Sequence, residues 1–273
     1  MNTKFTAIAL LAVTLIAGSV QAQSVVIGQP TMQAKQVSMS NIDHSSWNQL
    51  LQTYVNEKGQ VNYRGWQASG EATQALDTYL AQLTTANPNV QADRNSTLAF
   101  WINAYNAVTI KGILKEYPTT SIRNHTSETG GYNIWKNLML TVGNGQYSLN
   151  SMEHEILRKM GEPRIHFAIV CASHSCPRLL NQAYTASDLE NQLTLNTKNF
   201  FANPENLKYN QSRGSFQLSA LLDWFKTDFG PTQSDQLRYL SAYMPPAAAT
   251  AAQNNAVRNI SYLDYSWALN ELK

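Results

Sequence analysis

The run from Arg94 to Tyr117 constrains this chain most. Leu98, Ile102, Tyr105, Val108 and Leu114 recur in it at helical spacing, and Pro118 forces its end, because proline cannot continue a helical ladder. Two shorter helices precede it. Trp47, Leu50, Leu51, Tyr54 and Val55 follow the capping pair Ser45-Ser46 and stop at Lys58-Gly59, which predicts a helix over 45–57. Leu76, Tyr79, Leu80 and Leu83 predict another over 71–85, ending near Asn87-Pro88. The first third of the chain therefore reads as helical.

The middle changes character. Leu138 to Val142, Gly143-Asn144-Gly145 and Gln146 to Ser148 read as a hairpin, since Asn-Gly adopts the positive φ angles of a tight turn. A short helix is expected over 151–160. Arg164 to Val170 reads as a strand, with Ile165, Phe167 and Ile169 on one face and His166, Ala168 and Val170 on the other. Ser187-Asp188-Leu189-Glu190 reads as the capping-box start of a helix to Ala202. Leu207 to Asn210 and Ser215 to Leu218 flank a glycine-containing turn. Ala220 to Phe225, Gln236 to Tyr243 and a last strand over 257–263 complete the pattern. With no internal repeat and no low-complexity linker, the expected architecture is one α+β domain over 44–273. Its helical first third packs on a small, mostly antiparallel sheet with further helices.

The N-terminus has a different purpose. A basic start at Lys4, an almost wholly apolar stretch from Phe5 to Val20 and the small residues around Val20-Gln21-Ala22 read as a cleavable export signal over 1–22. An apolar run of about 15 residues is short of the ~20 that span a bilayer as a helix. No cysteine follows Ala17-Gly18, which excludes the lipid-modified form of such a signal. Residues 23–43, with Gly28-Gln29-Pro30, read as a loose polar leader. The expected location is periplasmic or secreted, with no membrane span in the mature protein. Loss of the signal removes Lys4 alone from a chain of 20 basic and 18 acidic residues, and so leaves the charges almost balanced. Bulk electrostatics then gives no drive toward nucleic acid. The expected partner is a small molecule, a peptide or a protein, and no cofactor is called for.

Reactive side chains concentrate in His166 to Pro177, where a strand feeds a loop of small residues carrying the only cysteines, Cys171 and Cys176. Three readings compete. An exported chain meets oxidising conditions, and two cysteines five positions apart can pair if the backbone turns back far enough. Alternatively Cys171 is a thiolate nucleophile served by a histidine base. Strand parity sets His166 on the face opposite Cys171, so His154, preceded by Glu153, is the better base. Thirdly, His166, Cys171, His174 and Cys176 offer two imidazoles and two sulfurs for zinc or copper, at a spacing that matches no tight ligand pattern. Glu153 has a structural alternative of its own, because Asn150-Ser151-Met152-Glu153 fits a capping box.

Phe100-Trp101-Ile102-Asn103-Ala104-Tyr105-Asn106-Ala107, Leu149 to Leu157 with Glu153-His154, Arg164 to Ala168 through Cys171, and Ser175-Cys176-Pro177 resemble, in order and separation, the domain of unknown function 547 family. Tyr262 to Asn270 looks like its terminal motif. The resemblance spans about Leu98 to Asn270 and implies no assigned activity. His174 lies outside the family pattern. Asn103 and Asn106 sit three apart on one helix face, either bracing the loop of Cys171 or donating to a substrate oxyanion. Trp101 and Tyr105 read as core residues.

Two functions are expected from this. One is a thiol-dependent hydrolase or acyl transferase with Cys171 as nucleophile, His154 as base, Glu153 in support and Asn103 or Asn106 as oxyanion donor. The other is a non-catalytic binding or assembly module held by a structural Cys171–Cys176 disulfide.

Overall fold

The computed structural model describes residues 24–28, 35–127 and 132–273. The expected export signal lies outside the described residues. No helix among the described residues is long and apolar enough to cross a membrane.

The helices of the first third are α1 (Ser45–Tyr54), α2 (Tyr63–Ala68), α3 (Gly70–Leu83) and α4 (Arg94–Glu116). Short polar side chains start three of them. Asn62 accepts from the Gly65 N–H, Ser69 from Ala72 and Asp93 from Ser96, each satisfying a donor that the first helical turn leaves free. Between Ser96 and Leu114 of α4, every residue except Thr97 and Lys111 is buried. Such a helix is a central post packed on all sides, a wider burial than the apolar stripe read from sequence. Its polar members Asn103, Asn106 and Thr109 are buried with the rest.

Two three-stranded sheets flank this post. In the first, β1 (Val25–Ile27) runs parallel to β2 (Leu138–Val142), which pairs antiparallel with β3 (Gly145–Ser148). The expected hairpin forms, with Gly143 at φ 58° in its turn. Val25 to Ile27, inside the stretch read as loose leader, is a strand. In the second sheet β4 (Leu207–Asn210) pairs antiparallel with β5 (Ser215–Ser219), which runs parallel to β6 (Asn259–Leu263). Each sheet is thus half parallel, and the α+β class holds with two small mixed sheets in place of one.

The strand expected over 164–170 is a tight helical turn, Pro163–Phe167. Pro163 at its first position has φ preset for a helix, and the Glu162 carboxylate caps it by accepting from the Arg164 N–H. Arg164 is buried between two carboxylates. It reaches Glu162 at 2.7 and 2.8 Å, and Glu190 on the Leu189–Ala202 helix at 2.6 and 2.8 Å. Glu190 therefore clamps two elements together and closes no capping box; the Asp188 side chain at the cap accepts from the Asn191 amide and from no backbone N–H of the helix.

Phe167 ends that turn and enters the second core, against Phe200, Phe201 and Phe229 with ring centroids 4.8, 5.6 and 5.7 Å away. Ala168 and Ile169, immediately after it, belong to the first core. The chain thus crosses between cores just before Cys171. Phe167→Ala should cost about 3–5 kcal/mol, as a fully buried phenylalanine does when its cavity cannot collapse, read from the urea unfolding midpoint.

Candidate active site

From Ala168 to Tyr184 the chain is largely buried yet has no regular ladder to satisfy its backbone. Side-chain amides do this instead. Asn106 accepts from the Val170 N–H and donates to Ala168 O, both at 3.0 Å. Asn103 does the same for Tyr184, at 2.9 and 2.8 Å. Asn196 donates to Phe167 O at 3.1 Å. Both α4 asparagines therefore have oxygen and nitrogen ends engaged with backbone, which is the bracing role.

Ala172 has φ 56°, a left-handed conformation that costs an L-residue of order 1–2 kcal/mol and turns the chain sharply after Cys171. The C-terminal segment holds this turn. Asn270 N–H donates to Ala172 O at 3.1 Å, His174 N–H to Ala268 O at 2.7 Å and Ser175 N–H to Ser266 O at 3.2 Å. The Tyr262 to Asn270 motif is thus the support of the cysteine loop.

Both cysteines are free thiols. They are joined by no crosslink here: the Cys176 sulfur accepts from the Cys171 N–H at 3.0 Å. Around Cys171 Sγ stand Ser173 Oγ at 2.9 Å and the Tyr265 hydroxyl at 3.2 Å, themselves 2.8 Å apart. The neighbouring Cys176 thiol, then the Ser173 and Tyr265 hydroxyls, hold Cys171 well below the ordinary thiol pKa against the opposing effect of burial. Cys176 moves the other way, pushed up by burial and by the Cys171 charge. Burial and the two thiols likewise keep the Tyr265 phenol protonated, so it can donate to the sulfur.

Met152–Leu157 forms a π-helical turn, a departure from α geometry that recurs at functional sites. Glu153 is no cap. Ser148 caps the preceding Leu149–Ser151 turn by accepting from the Ser151 N–H, and the Glu153 carboxylate receives the Tyr105 hydroxyl at 3.2 Å. Burial raises the Glu153 pKa to about 7, the Tyr105 hydrogen bond offsetting part of that and the Cys171 charge adding to it. At neutral pH this carboxyl is divided between its two protonation states.

His154 accepts at Nδ1 from the Arg158 guanidinium at 3.2 Å, and burial followed by the Arg158 charge lowers its pKa. A neutral ring whose Nδ1 lone pair is taken carries its hydrogen on Nε2. It is thus arranged to donate. Arg158 is held in turn by Asp228 at 2.6 and 2.7 Å. Asp228 also accepts from His166 Nε2 at 2.8 Å. Arg158, and secondarily His166, depress the Asp228 pKa to about 2, while burial lowers that of His166 to about 4. His166 stacks on Phe225 at 4.0 Å.

Cys171, Cys176, Glu153, His154, His166 and Tyr105 all line one cavity of about 390 Å³, within the range of small-molecule sites. The strand-parity argument against His166 fails because 163–167 is a helical turn. Trp135, Trp224, Phe225, Tyr265 and Trp267 form the apolar wall, and Arg123 lies 5.4 Å from the Trp267 ring. Of the four residues considered as metal ligands, His174 turns outward to Glu205 at 3.3 Å and His166 is occupied by Asp228. Among the described residues no group of three His, Cys, Asp or Glu side chains is arranged to hold a metal.

Sequence reasoning had brought Cys171, His154 and Glu153 together, and they do share a cavity. It missed Ser173 and Tyr265 as sulfur ligands, Tyr105 as the partner of Glu153, and the Arg158, Asp228 and His166 chain. Tyr265 was within reach, since it stands in the terminal motif. The others depend on folding.

Residues 90–201 match the family model described as Protein of unknown function, DUF547. No curated protein and no solved structure matches the chain. The matched stretch carries the cysteines, Glu153, His154 and both asparagines, whereas the wall from Leu221 to Trp267 lies beyond it.

A thiolate held by hydroxyls should react at low pH. Alkylation of the reduced protein by iodoacetamide should inflect below the ordinary thiol range near ~8.5, and mass mapping should find the label on Cys171 before Cys176. Tyr265→Phe should move the inflection upward; an unmoved profile would mean that this hydroxyl does not stabilise the thiolate.

Proposed function

We propose that the chain is a thiol-dependent hydrolase or acyl transferase with Cys171 as nucleophile and Glu153 as the group that carries the proton. One observation carries the reading: a thiol held toward its ionised form and a carboxyl divided between its two forms at neutral pH face the same small cavity. A general acid–base works best when its pKa lies near the working pH.

In this reading the Cys171 thiolate adds to a substrate carbonyl carbon, and the carbonyl electron pair moves onto oxygen. The Nε2–H of His154 supports a donor role toward that oxygen, in place of the base role expected from sequence. Collapse breaks the bond to the leaving amine or alcohol, which takes its proton from Glu153. Water then attacks the thioester and gives its proton back to the Glu153 carboxylate. Cys171 departs as thiolate and the acid is released. In a transferase a second nucleophile replaces water. The export pattern in residues 1–22 supports action outside the cytoplasm, in the periplasm or beyond.

The test uses p-nitrophenyl esters with reductant present, because their leaving group needs no proton. Wild type should release nitrophenolate repeatedly and carry an acyl adduct on Cys171 in intact mass. Cys171→Ala should lose both. Glu153→Gln should keep the initial burst and lose turnover by about 10²–10⁴-fold, since only deacylation then lacks its base. Absence of any Cys171 adduct across an ester, thioester and amide series would overturn the reading and leave a binding module.

A further inference from the structure

The acyl chemistry uses one sulfur, and the cavity holds two. Cys176 lines the same space as Cys171, with its sulfur 3.0 Å from the Cys171 backbone nitrogen. The left-handed turn at Ala172 and the bond from Cys176 N–H to Ser173 O at 3.1 Å fold the loop back so that the second thiol lies beside the first. A structural cysteine buried among apolar side chains would be inert. This pair instead faces a cavity that admits a ligand.

We propose that Cys171 and Cys176 form a dithiol that reduces an external disulfide, an activity independent of acyl transfer although it shares Cys171. The Cys171 thiolate attacks one sulfur of a disulfide R–S–S–R′. A bond forms between Cys171 Sγ and the R sulfur, the external S–S bond breaks, and R′S⁻ leaves and takes a proton from solvent. Cys176 then gives up its proton and attacks Cys171 Sγ. The mixed S–S bond breaks, RS⁻ leaves with that proton, and the Cys171–Cys176 disulfide closes. Two electrons have passed from the protein to the external disulfide, and two thiols have been released. The roles are unequal, as exchange requires: the attacking thiol is the one held ionised, and the resolving thiol ionises only when called on.

Closure has to bring together two sulfurs carried by one short loop. The structure records the reduced state, with Cys176 placed against the Cys171 backbone, and its sulfur has to move from that nitrogen to the neighbouring sulfur. The loop that carries both is held from the C-terminal segment through backbone atoms of Ala172, His174 and Ser175. Those bonds engage neither sulfur; the bonds to be exchanged on closure are those of Cys171 Sγ to Ser173 and Tyr265 and that of Cys176 Sγ to the Cys171 N–H.

The experiment treats fully reduced protein with glutathione disulfide, quenches with acid and reads intact mass and peptide maps. Wild type should pass through a transient glutathione adduct on Cys171 to a form two hydrogens lighter, with the bond mapped between Cys171 and Cys176. Cys176→Ala should stop at the adduct, which should persist about 10-fold longer or more than in wild type. Wild type that accumulates a stable Cys171 adduct without closing, or that forms no adduct there, overturns the proposal whatever the variant does. Acyl labelling under reductant is read separately. Adduct and closure without acylation would sink only the hydrolase reading, and acylation without closure would sink only this one.

Discussion

Backbone polar groups removed from water must find partners, and here a long buried segment without regular structure finds them in side-chain amides. Asn106 and Asn103 on α4, Asn196 and Gln192 on the Leu189–Ala202 helix, and Asn48 on α1 bond the stretch from Phe167 to Thr185. A buried amide that lost its partner would cost of order 1–3 kcal/mol. Several of them acting on one segment fix its path as firmly as a sheet would. The segment is freed from ladder geometry and can carry the left-handed residue at Ala172 that aims Cys171 at the cavity. Everything chemical at the site rests on this substitution of side-chain clamps for secondary structure.

The same constraint explains the electrostatics. Because the clamps hold the loop deep in the molecule, Cys171, Glu153 and His166 lie where charge is poorly solvated, and each answers according to its neighbours. Cys171 has three donors close by and ionises more readily. Glu153 has one hydroxyl and a nearby thiolate and keeps its proton up to a pH of about 7. His166 has Asp228 as partner, but burial outweighs it and the ring stays neutral. One low-dielectric floor thus yields a thiol held toward its ionised form, a titrating carboxyl and a fixed neutral ring.

Sequence periodicity read the helical first third and the hairpin well, because apolar spacing and a glycine-bearing turn are local signals, although the positive φ falls on Gly143 and not on the Asn144-Gly145 pair. It placed α4 within one residue, yet understated its burial, since an all-round apolar helix shows only part of its pattern in any single stripe. It failed at 164–170, where alternating apolar residues resemble a strand but Pro163 and Glu162 set a helical turn. That local error propagated into a wrong facing for His166. At the site, residue types and spacing brought out Cys171, Glu153 and His154. They could not reveal that Arg158 occupies the Nδ1 lone pair of His154, or that Tyr265, 94 positions from Cys171, reaches its sulfur. Those facts are created by tertiary contact.

The cavity is built from two lengths of chain with different duties. Cys171, Glu153 and all the clamping amides but Asn48 come from within residues 90–201, while most of the aromatic wall comes from Leu221 to Trp267. Tyr265 crosses that division at the sulfur, and Asp228 crosses it at Arg158 and His166. Trp224, half exposed, packs on both Trp267 and Tyr265, so its shape bears on the wall and on the hydroxyl that reaches Cys171. The shape of the wall and the state of the sulfur are therefore coupled through Tyr265, so a change late in the chain that reshapes the cavity also acts on Cys171.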